Sequence, residues 1–528
     1  MKFLKYQKAF VFAGFYFLIY ILFSLSSRSW YVFMPVPAFY ILAGAFVFIF
    51  LLSWIFRFFE EGLFKKENQY YFFLFLSTYI IAMYLLSVKA LNLGDGLLLR
   101  EMLALESSVL GYQLSADEIL STLVHSYLYR NVFQDPELAY RFTSLFSGFF
   151  SLSLLYYFFK KYQIPKEAFL LILSSGGMFL FFSYMENYTI STTIILSIMI
   201  WGYMGIKENK KPLHILLPIA ALSSLAALFH LLSGYLLPAL VFITYKVSKD
   251  LRSFLKNAFF SLITALIIIL PVYIYFLCFS DTRLDLSDSH IASPPFYPLK
   301  RLVSANHIYE ILSVLFFTAF VPLLIFLYTL FFRREFWKKF KTSTAEKFIL
   351  LIFYGYLLHA FIHNPMLGFP ADWDLMSIYW LPLSFLSVLL YKEAVITRNV
   401  VLPLTVFSLL VFFSNLYSLS ERSKKDEERL QNIYQLVGDY NKKNRMLVLA
   451  HSAEQRKYFL KMDYLLYKSF KMLEKSNTPE KGKLLEENIS LKNKLDSMPG
   501  QNIREWKKEY YKEFYKYYSA FLSLKLPE

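Results

Sequence analysis

The sequence has almost no cysteine: Cys278 is the single one among 528 residues. One cysteine cannot form an internal disulfide, and it excludes a metal centre built from several cysteines. Charged residues are also few, at 18% of the chain, whereas hydrophobic residues make up 57% and aromatic residues 20%. Soluble globular domains carry more charge and fewer apolar residues. The composition therefore excludes a soluble domain and predicts a membrane protein.

Motifs for nucleotide binding and for common hydrolases are missing as well. The sequence contains no P-loop, no HExxH, no GxSxG and no Rossmann glycine pattern. The formal net charge of +16 would suggest nucleic acid in a soluble protein. In a membrane protein it is explained by basic connections between spans and by a basic tail. We therefore expect the lipid bilayer as a partner and no nucleic acid.

Long apolar runs recur along the chain, and each is long enough to cross a hydrocarbon core of about 30 Å as a helix. They predict an all-α polytopic membrane protein with about thirteen transmembrane helices. The first run follows a basic flank but has no small-residue cleavage site, so we interpret it as an anchor. The predicted spans are 9–27, 37–56, 70–90, 138–159, 168–184, 189–206, 213–230, 235–247, 257–279, 309–332, 348–362, 376–391 and 399–417.

The connections between these spans alternate in charge. With the N-terminus inside, the connections on the inner side, such as "KKYQIPKE" and "KENKKP", hold most of the Lys and Arg residues before residue 420. This asymmetry fixes the orientation of a multi-pass protein in the cell membrane. The outer connections contain the unusual polar residues and most of the eight histidines. Any active site is therefore expected on the outer, extracytoplasmic face.

Two domains are predicted. Residues 1–420 form the multi-spanning domain, and residues 421–528 form a charged tail whose periodicity indicates amphipathic helices. Thirteen spans would put this tail on the extracytoplasmic side. The first large outer loop, 94–136, is predicted to contain two amphipathic helices that lie in the membrane interface. Ser115 is the predicted cap of the second helix, ahead of Glu118.

Asp95 lies between two glycines in "LNLGDGLLLREMLALE", directly after a predicted span. One interpretation is a carboxylate in an ordinary Gly-Asp-Gly turn. The other is a functional group, because ionisable residues at span ends are often functional. The turn interpretation costs nothing in water, so the spacing alone does not decide between them.

The segments "GDGLLLREMLALESSVLGYQ" and "AYRFTSLFSGFFSLSLLYYFFKKY" resemble the C-type (GT-C) superfamily of membrane glycosyltransferases, and most closely its aminoarabinose and protein-O-mannosyl transferases. Members take a sugar from a polyprenyl-phosphate carrier on the outer face. They have one or two acidic residues early in the first large outer loop, followed by an arginine-led span. The resemblance implies a GT-C fold, a lipid-phosphate sugar donor and Asp95 as the general base.

The sequence departs from the family pattern in two ways. Two extra spans precede the acidic loop, and the usual acidic pair is reduced to Asp95, with Glu101 as the next carboxylate. Glu101 is either a second carboxylate of the site or outside it. No cofactor is expected, and dependence on a divalent cation is left open.

Three further acidic residues fall in outer connections. Glu186 in "YMENYT" either faces a cavity or caps the next helix. Asp372 and Asp374 flank Trp373 in "HNPMLGFPADWD", downstream of His363. In an extended loop the two carboxylates would point the same way and could bind a hard cation, or a sugar with Trp373 stacked on its ring. The alternative is an Asp helix cap beside an interfacial Trp.

Histidine and basic residues complete the set of candidates. His230 interrupts an apolar run in "FHLLSGY" and is either a substrate ligand or a buried, hydrogen-bonded histidine. Arg283, Lys300 and Arg301 are the basic residues of the long late outer loop. The resemblance implies that such residues hold the carrier phosphate, which suits guanidinium and ammonium groups. Attraction to lipid headgroups is the alternative.

Together these features predict an inverting membrane glycosyltransferase that moves a sugar from a polyprenyl-phosphate carrier to an unknown acceptor: a lipid, a glycan or a protein. The rival hypothesis is a lipid or solute transporter or flippase that transfers no sugar. Transporters often keep charges near the membrane midplane and contain internal repeats. The predicted spans are nearly free of charge at their centres, and no repeat is visible. A third hypothesis is a non-catalytic scaffold that presents the tail.

Overall fold

A computed structural model of the chain describes residues 69–88, 96, 99–100, 103, 113–115, 117–279, 283–285, 296–333, 335, 338, 343–365, 372–393 and 398–420. The chain divides into two units, Met1–Arg422 and Ser423–Glu528, and all described residues belong to the first. The predicted spans 9–27 and 37–56 and the predicted helical tail lie outside the described residues. For these segments the sequence predictions stay predictions.

Among the described residues, the regular structure is helical apart from two three-residue strands, so the predicted all-α membrane class is confirmed. Six helices within the described ranges are long and apolar enough to cross a membrane. The α-helices are α1 Gln69–Leu85, α2 Ile119–Leu128, α3 Pro136–Lys161, α4 Phe169–Leu173, α5 Tyr188–Lys207, α6 Pro212–Phe229, α7 Leu237–Val247, α8 Leu251–Ile274, α9 Leu299–Leu302, α10 Ala305–Phe332, α11 Thr344–Ile362, α12 Trp373–Met376, α13 Trp380–Lys392 and α14 Arg398–Ser420.

Side-chain caps fix where several of these helices begin. The Asp135 carboxylate accepts hydrogen bonds from the backbone N–H groups of Glu137 (2.8 Å) and Leu138 (3.3 Å), and Pro136 occupies the first turn of α3. Helix α8 begins with a capping box formed by Asp250 and Ser253. Caps satisfy backbone donors that would otherwise lack a partner, and a proline in the first turn has no N–H that needs one. The starts of these spans are therefore encoded locally.

The predicted span 168–184 is not a continuous helix, and this is a correction. It consists of the 3-10 turn Lys166–Ala168, the short helix α4 and the 3-10 segment Gly176–Phe181. Every residue from 168 to 181 is buried. Such irregular backbone is tolerated at membrane depth only where protein or water surrounds it. We call residues 166–181 the broken segment.

Helix α10 is kinked where it meets the broken segment. Ala319 has non-helical dihedral angles (φ −149°, ψ 41°), three residues before Pro322. A proline ring clashes with the carbonyl of the preceding turn, which explains a kink at this place. The backbone of Phe317 packs directly on Gly176, so the kink and the broken segment fit each other.

The predicted inner connections meet at one end of the helices. Lys161 pairs with Glu208 (2.6 Å), and Lys207 pairs with Glu346 (2.9 Å). The Tyr391 hydroxyl donates to Glu167 over 3.1 Å. We call this the basic end. The predicted outer connections meet at the opposite end, which we call the acidic end and which contains the site.

The two strands join the first and the late outer loops at the acidic end. Strand β1, Gln113–Ser115, pairs in parallel with β2, Arg283–Asp285, and Gln113 lies opposite Arg283. The prediction that Ser115 caps the next helix was wrong. Ser115 lies in β1, and Glu118 takes the cap position of α2 without forming a side-chain capping bond. The Glu118 carboxylate instead contacts the side chains of Asn187 and His230.

Candidate functional site

Four carboxylates converge at the acidic end around two tyrosines. Each of them lies close enough to interact electrostatically with Tyr188, and three of them also act on Tyr184. Glu186, Asp372 and Asp374 are buried, whereas the Glu118 side chain is 23% exposed. Like charges gathered in a poorly solvated place favour proton sharing or an external partner. We call Glu118, Glu186, Asp372 and Asp374 the carboxylate cluster.

The aspartates of the cluster lie in a helical turn rather than in an extended loop. Asp372 occupies the cap position of α12, and Asp374 accepts a hydrogen bond from the backbone N–H of Leu375 at 3.0 Å. The extended arrangement considered from the sequence is therefore not the one in the structure. Glu186 reaches the same place from the short connection between the broken segment and α5.

Trp373 and Tyr184 are buried aromatic side chains next to the carboxylate cluster. The Trp373 indole N–H donates to the Tyr184 hydroxyl at 3.2 Å, and the Trp373 ring packs edge-on against Phe179 and Phe317. Burial, with the neighbouring carboxylates adding to it, raises the pKa of Tyr184 well above its usual value. Tyr184 therefore stays protonated. Protein side chains enclose the Trp373 ring. Its stacking on a sugar is not tested by the structure and stays a prediction.

Glu118 is held by two hydrogen-bond donors. The Asn187 side-chain amide donates to Glu118 Oε2 at 2.7 Å. His230 Nδ1 accepts the backbone N–H of Leu232 at 3.1 Å, which places the ring proton on Nε2, 3.0 Å from Glu118 Oε1. His230 is thus a paired, buried histidine that links the end of α6 to the start of α2.

His125 fastens α2 to α3 beside this network. Its Nδ1 donates to the carbonyl oxygen of Ser121 (2.7 Å), its Nε2 lies 2.8 Å from the Thr143 hydroxyl, and its ring stacks on Tyr140 at 3.7 Å. Burial is the main cause that lowers the pKa of His125 to about 4, against the opposing effects of the bond to Ser121 and the charge of Glu118. His125 is therefore neutral at neutral pH.

The end of the late outer loop is fastened to α11. The backbone N–H of Tyr297 donates to the carbonyl oxygen of Ile362 at 2.9 Å, and Phe296 forms a backbone bridge to His363. His307 Nε2 contacts the Phe361 carbonyl oxygen at 2.7 Å, and the rings of His359 and His363 are 4.7 Å apart. This segment therefore lies against the end of α11, directly before the loop that leads to Asp372.

Arg301 is the basic residue of that segment with a defined partner. Its guanidinium contacts both carboxylate oxygens of Glu310 at 2.7 Å. Burial and the charges of Glu310 and Asp372 raise the pKa of Tyr297 to about 12, although Arg301 acts in the opposite direction. Asp372 of the carboxylate cluster thus also has a small electrostatic influence on Tyr297 in the late loop. Lys300, in contrast, is exposed.

Besides the buried Trp373 and the exposed Lys300, the predicted site residues divide into three groups. Glu186, Asp372 and Asp374 come together as one cluster. His230, His363 and Arg301 lie at the same end but have protein partners. Asp95 and Glu101 lie outside the described residues, and of Arg283 only the backbone pairing of β2 is described.

Both flanks of the Asp95 segment are held at the acidic end. Upstream, the backbone N–H of Val88 donates to the carbonyl oxygen of Phe182 at 2.8 Å. Downstream, Arg100 pairs with Glu137 at the start of α3 over 2.5 Å. Val88 and Arg100, which flank the segment that contains Asp95, are therefore both anchored at this end of the helices.

Two important residues were not recognised as site candidates from the sequence. Glu118 was considered only in a helix-capping pattern, and Asn187 only as part of a glycosylation sequon, Asn187-Tyr-Thr. Asn187 is 4% exposed and fully engaged, which excludes it as a glycosylation site in this fold. A signal was present, because Asn187 directly follows Glu186 at a span end.

Within the described part of the chain, no three His, Cys, Asp or Glu side chains approach one another closely enough to hold a metal ion. The cluster is thus a set of carboxylates around tyrosine hydroxyls, which suits hydrogen bonding to hydroxyl groups or to a cationic group.

Comparison with known proteins gives two distant structural similarities. The chain is similar to the crystal structure of ArnT from Cupriavidus metallidurans in the apo state, with 11% identity, a TM-score of 0.42, and coverage of 76% of this chain and 70% of that one. It is also similar to ArnT of the same organism bound to undecaprenyl phosphate, with 12% identity, a TM-score of 0.39 and the same coverage. No protein-family model matches the chain. No curated protein matches it either.

Proposed function

We propose that this protein is an integral-membrane glycosyltransferase that moves a sugar from a polyprenyl-phosphate carrier to an acceptor at the acidic end. The observation that carries the proposal is the convergence of the carboxylate cluster with the two anchors of the Asp95 segment, Val88 and Arg100. Sugars present several hydroxyl groups, and ionised carboxylates are strong acceptors for them. The resemblance of "GDGLLLREM" to the acidic loop of the GT-C family agrees with this assignment.

Asp95 is the proposed general base. Its carboxylate takes the proton of the acceptor hydroxyl while that oxygen forms a bond to the anomeric carbon. The bond between the anomeric carbon and the phosphate oxygen breaks, and the phosphate leaves on the carrier lipid. A single displacement inverts the configuration at the anomeric carbon. The buried carboxylates Glu186, Asp372 and Asp374 orient the sugar through its hydroxyl groups.

The leaving phosphate gains negative charge, which basic side chains stabilise. Arg283, Lys300 and Arg301 are the proposed phosphate ligands, and Lys300 is exposed at the start of α9. On donor binding, the Arg301 guanidinium would either leave the Glu310 carboxylate and bind the phosphate, or contact both groups at once. The acidic end is proposed to face the outside of the cell, because the basic end contains the lysine-rich connections that the positive-inside rule assigns to the cytoplasm.

The decisive test compares wild type with Asp95→Asn in transfer from a radiolabelled polyprenyl-phosphate sugar in membranes. The substitution keeps the size and removes the proton acceptor, so transfer should fall by about 10²–10⁴-fold while donor binding persists. Glu101→Gln is the matched control and should have a smaller effect. Equal transfer by wild type and Asp95→Asn would remove Asp95 from the mechanism and leave Glu186 or Asp372 as the leading candidate.

One observation favours a transporter instead. The broken segment lies against the kink of α10, and interrupted helices line substrate paths in many transporters. Here, however, aromatic side chains such as Phe179, Phe181 and Trp380 fill the region. A transporter would show no sugar transfer in wild type, and its transport would survive Asp95→Asn.

A further inference from the structure

Asn187 occupies a helix-cap position but does not act as a cap. It directly precedes α5, and asparagine is one of the favoured capping residues, yet its side chain forms no capping bond. Its Oδ1 accepts hydrogen bonds from Ser121 Oγ (3.0 Å) and the Tyr140 hydroxyl (3.1 Å). Its Nδ2 donates to Glu118 at 2.7 Å. The side chain is thus committed to α2, α3 and Glu118 rather than to its own helix.

The bond to Glu118 differs in kind from the other two. Ser121 and Tyr140 are neutral hydroxyl donors, whereas the Glu118 side chain is a carboxylate, so the Asn187 contact is charge-assisted and stronger. His230 supports the same carboxylate from the other side at 3.0 Å. The two donors fix the direction of Glu118, which is 23% exposed, whereas Glu186 is 2% and Asp374 1% exposed. Glu118 is therefore the most exposed member of the cluster and the one that an incoming molecule reaches first.

We propose that Asn187 is a positioning residue for the transfer reaction: it holds the Glu118 carboxylate at the open side of the cluster, where Glu118 binds a hydroxyl group of the transferred sugar. This inference rests on the proposed function. The inference adds two residues to the site. Glu118 contacts the substrate, and Asn187 orients the Glu118 carboxylate.

The alternative is a purely structural role, in which the hydrogen bonds of Asn187 only hold α2 and α3 against α5. Two single substitutions and one double exchange distinguish the two roles. In Asn187→Asp, the new carboxylate still accepts from Ser121 and Tyr140, but the atom that faces Glu118 changes from a donor to an acceptor. In Tyr140→Phe, one bond of Asn187 is lost and the link to Glu118 is kept. If Asn187 has only this structural role, restoring a donor–acceptor pair between positions 187 and 118 should restore full activity even without a carboxylate at position 118.

The readout is the pH profile of kcat/KM for the donor. At neutral pH the two adjacent carboxylates in Asn187→Asp repel each other, and kcat/KM should fall roughly ten- to a hundred-fold, as expected for a lost bond to a charged group. At lower pH the pair can share a proton, which restores the donor, so the deficit should shrink. For Tyr140→Phe the ratio to wild type should not depend on pH.

Other titratable groups face this position, and wild type measured at each pH corrects for them. They are Asp117 and Glu118 ahead of α2, His125 in α2, Tyr140 in α3, Glu186 and Tyr188 at the start of α5, His230 at the end of α6, and Asp372 and Asp374 at α12.

If Asn187→Asp does not fold, the exchange Asn187→Asp with Glu118→Gln restores a donor–acceptor pair. This double variant should fold and lose the pH-dependent deficit, but its kcat/KM should stay low because the Glu118 carboxylate is gone. Full activity of the double variant would overturn the inference, and so would a deficit in Asn187→Asp that does not change with pH. Absence of transfer in wild type is a different result, which would refute the proposed function and this inference with it.

Discussion

Gly176 has no room for a side chain. A Cβ atom there would overlap the carbonyl oxygen of Phe317, which belongs to the backbone of the kinked helix α10 and cannot rotate away. We expect Gly176→Ala to lower the free energy of unfolding by about 1–3 kcal/mol, as overpacking of a core does. Thermal unfolding of the detergent-purified protein measures it. Gly234→Ala is the control, because nothing lies within 4 Å of its added Cβ.

Substitution of Arg301 together with Lys300 tests whether these two residues bind the carrier phosphate. Arg301→Ala with Lys300→Ala should raise the apparent requirement for donor roughly ten- to a hundred-fold, because a charge-assisted contact is worth about 1.5–3 kcal/mol. The matched variant is Glu310→Gln, which removes the negative partner of Arg301 and keeps the guanidinium. It should not raise the donor requirement. Unchanged donor dependence after loss of both basic residues would move the phosphate site, with Arg130 and Arg141 next to test.

At the scale of elements, His125 makes the attachment of α2 to α3 sensitive to acid. Its pKa is about 6.5 in an unfolded chain and about 4 when buried. Above pH 6.5 both states are neutral and the group has no effect. As pH falls from 6.5 towards 4, only the unfolded or released form takes up the proton, so stability is lost by up to about 3 kcal/mol.

This pH effect can be measured as hydrogen exchange of the α2 amides between pH 7 and pH 4.5. Intrinsic amide exchange slows as pH falls, so the measured rates are divided by it; the resulting protection factors of α2 should decrease towards acid pH more than those of α5, which lacks such a group. The control is His214→Gln, a change of an exposed histidine at the other end of the molecule that should leave the profile unchanged. If the protection factors of the α2 amides are equal at both pH values, His125 does not control its attachment.

The helices that the sequence predicts best are those with a local start signal and one lipid-facing side. Helix α3, with Asp135 and Pro136 at its start, matches the predicted span closely. The broken segment was missed because most of its residues are apolar and buried on every side, which leaves no helical or strand periodicity; a signal was present in Ser174-Ser175-Gly176-Gly177, a cluster typical of a break. Likewise, Glu118 and Asn187 meet across 69 residues of sequence, and no local pattern reports such a contact. For Glu186, Asp372 and Asp374, the sequence predicts only that each lies at an outer span end. It does not predict that the three carboxylates lie close together.

At the scale of the whole molecule, the two ends differ in chemistry. Lysine–glutamate pairs tie the connections together at the basic end, and buried carboxylates and histidines gather at the acidic end. A positive-inside orientation puts the basic end in the cytoplasm. Under the proposed function, a lipid-linked donor would then present its sugar to the carboxylate cluster and its phosphate to the basic residues of the late loop, both on the outer face.

The orientation can be tested with single cysteines in a Cys278→Ser background, which is necessary because Cys278 is exposed. Cysteines introduced at Ser107 and Ser115 should react with a membrane-impermeant thiol reagent in intact cells, since both belong to the first outer loop. A cysteine at Asn209, an exposed residue beside Glu208 at the basic end, should react only after the membrane is opened. Reaction at Asn209 alone in intact cells would invert the topology. The carboxylate cluster would then face the cytoplasm, and a donor displayed on the outer surface could not be its substrate.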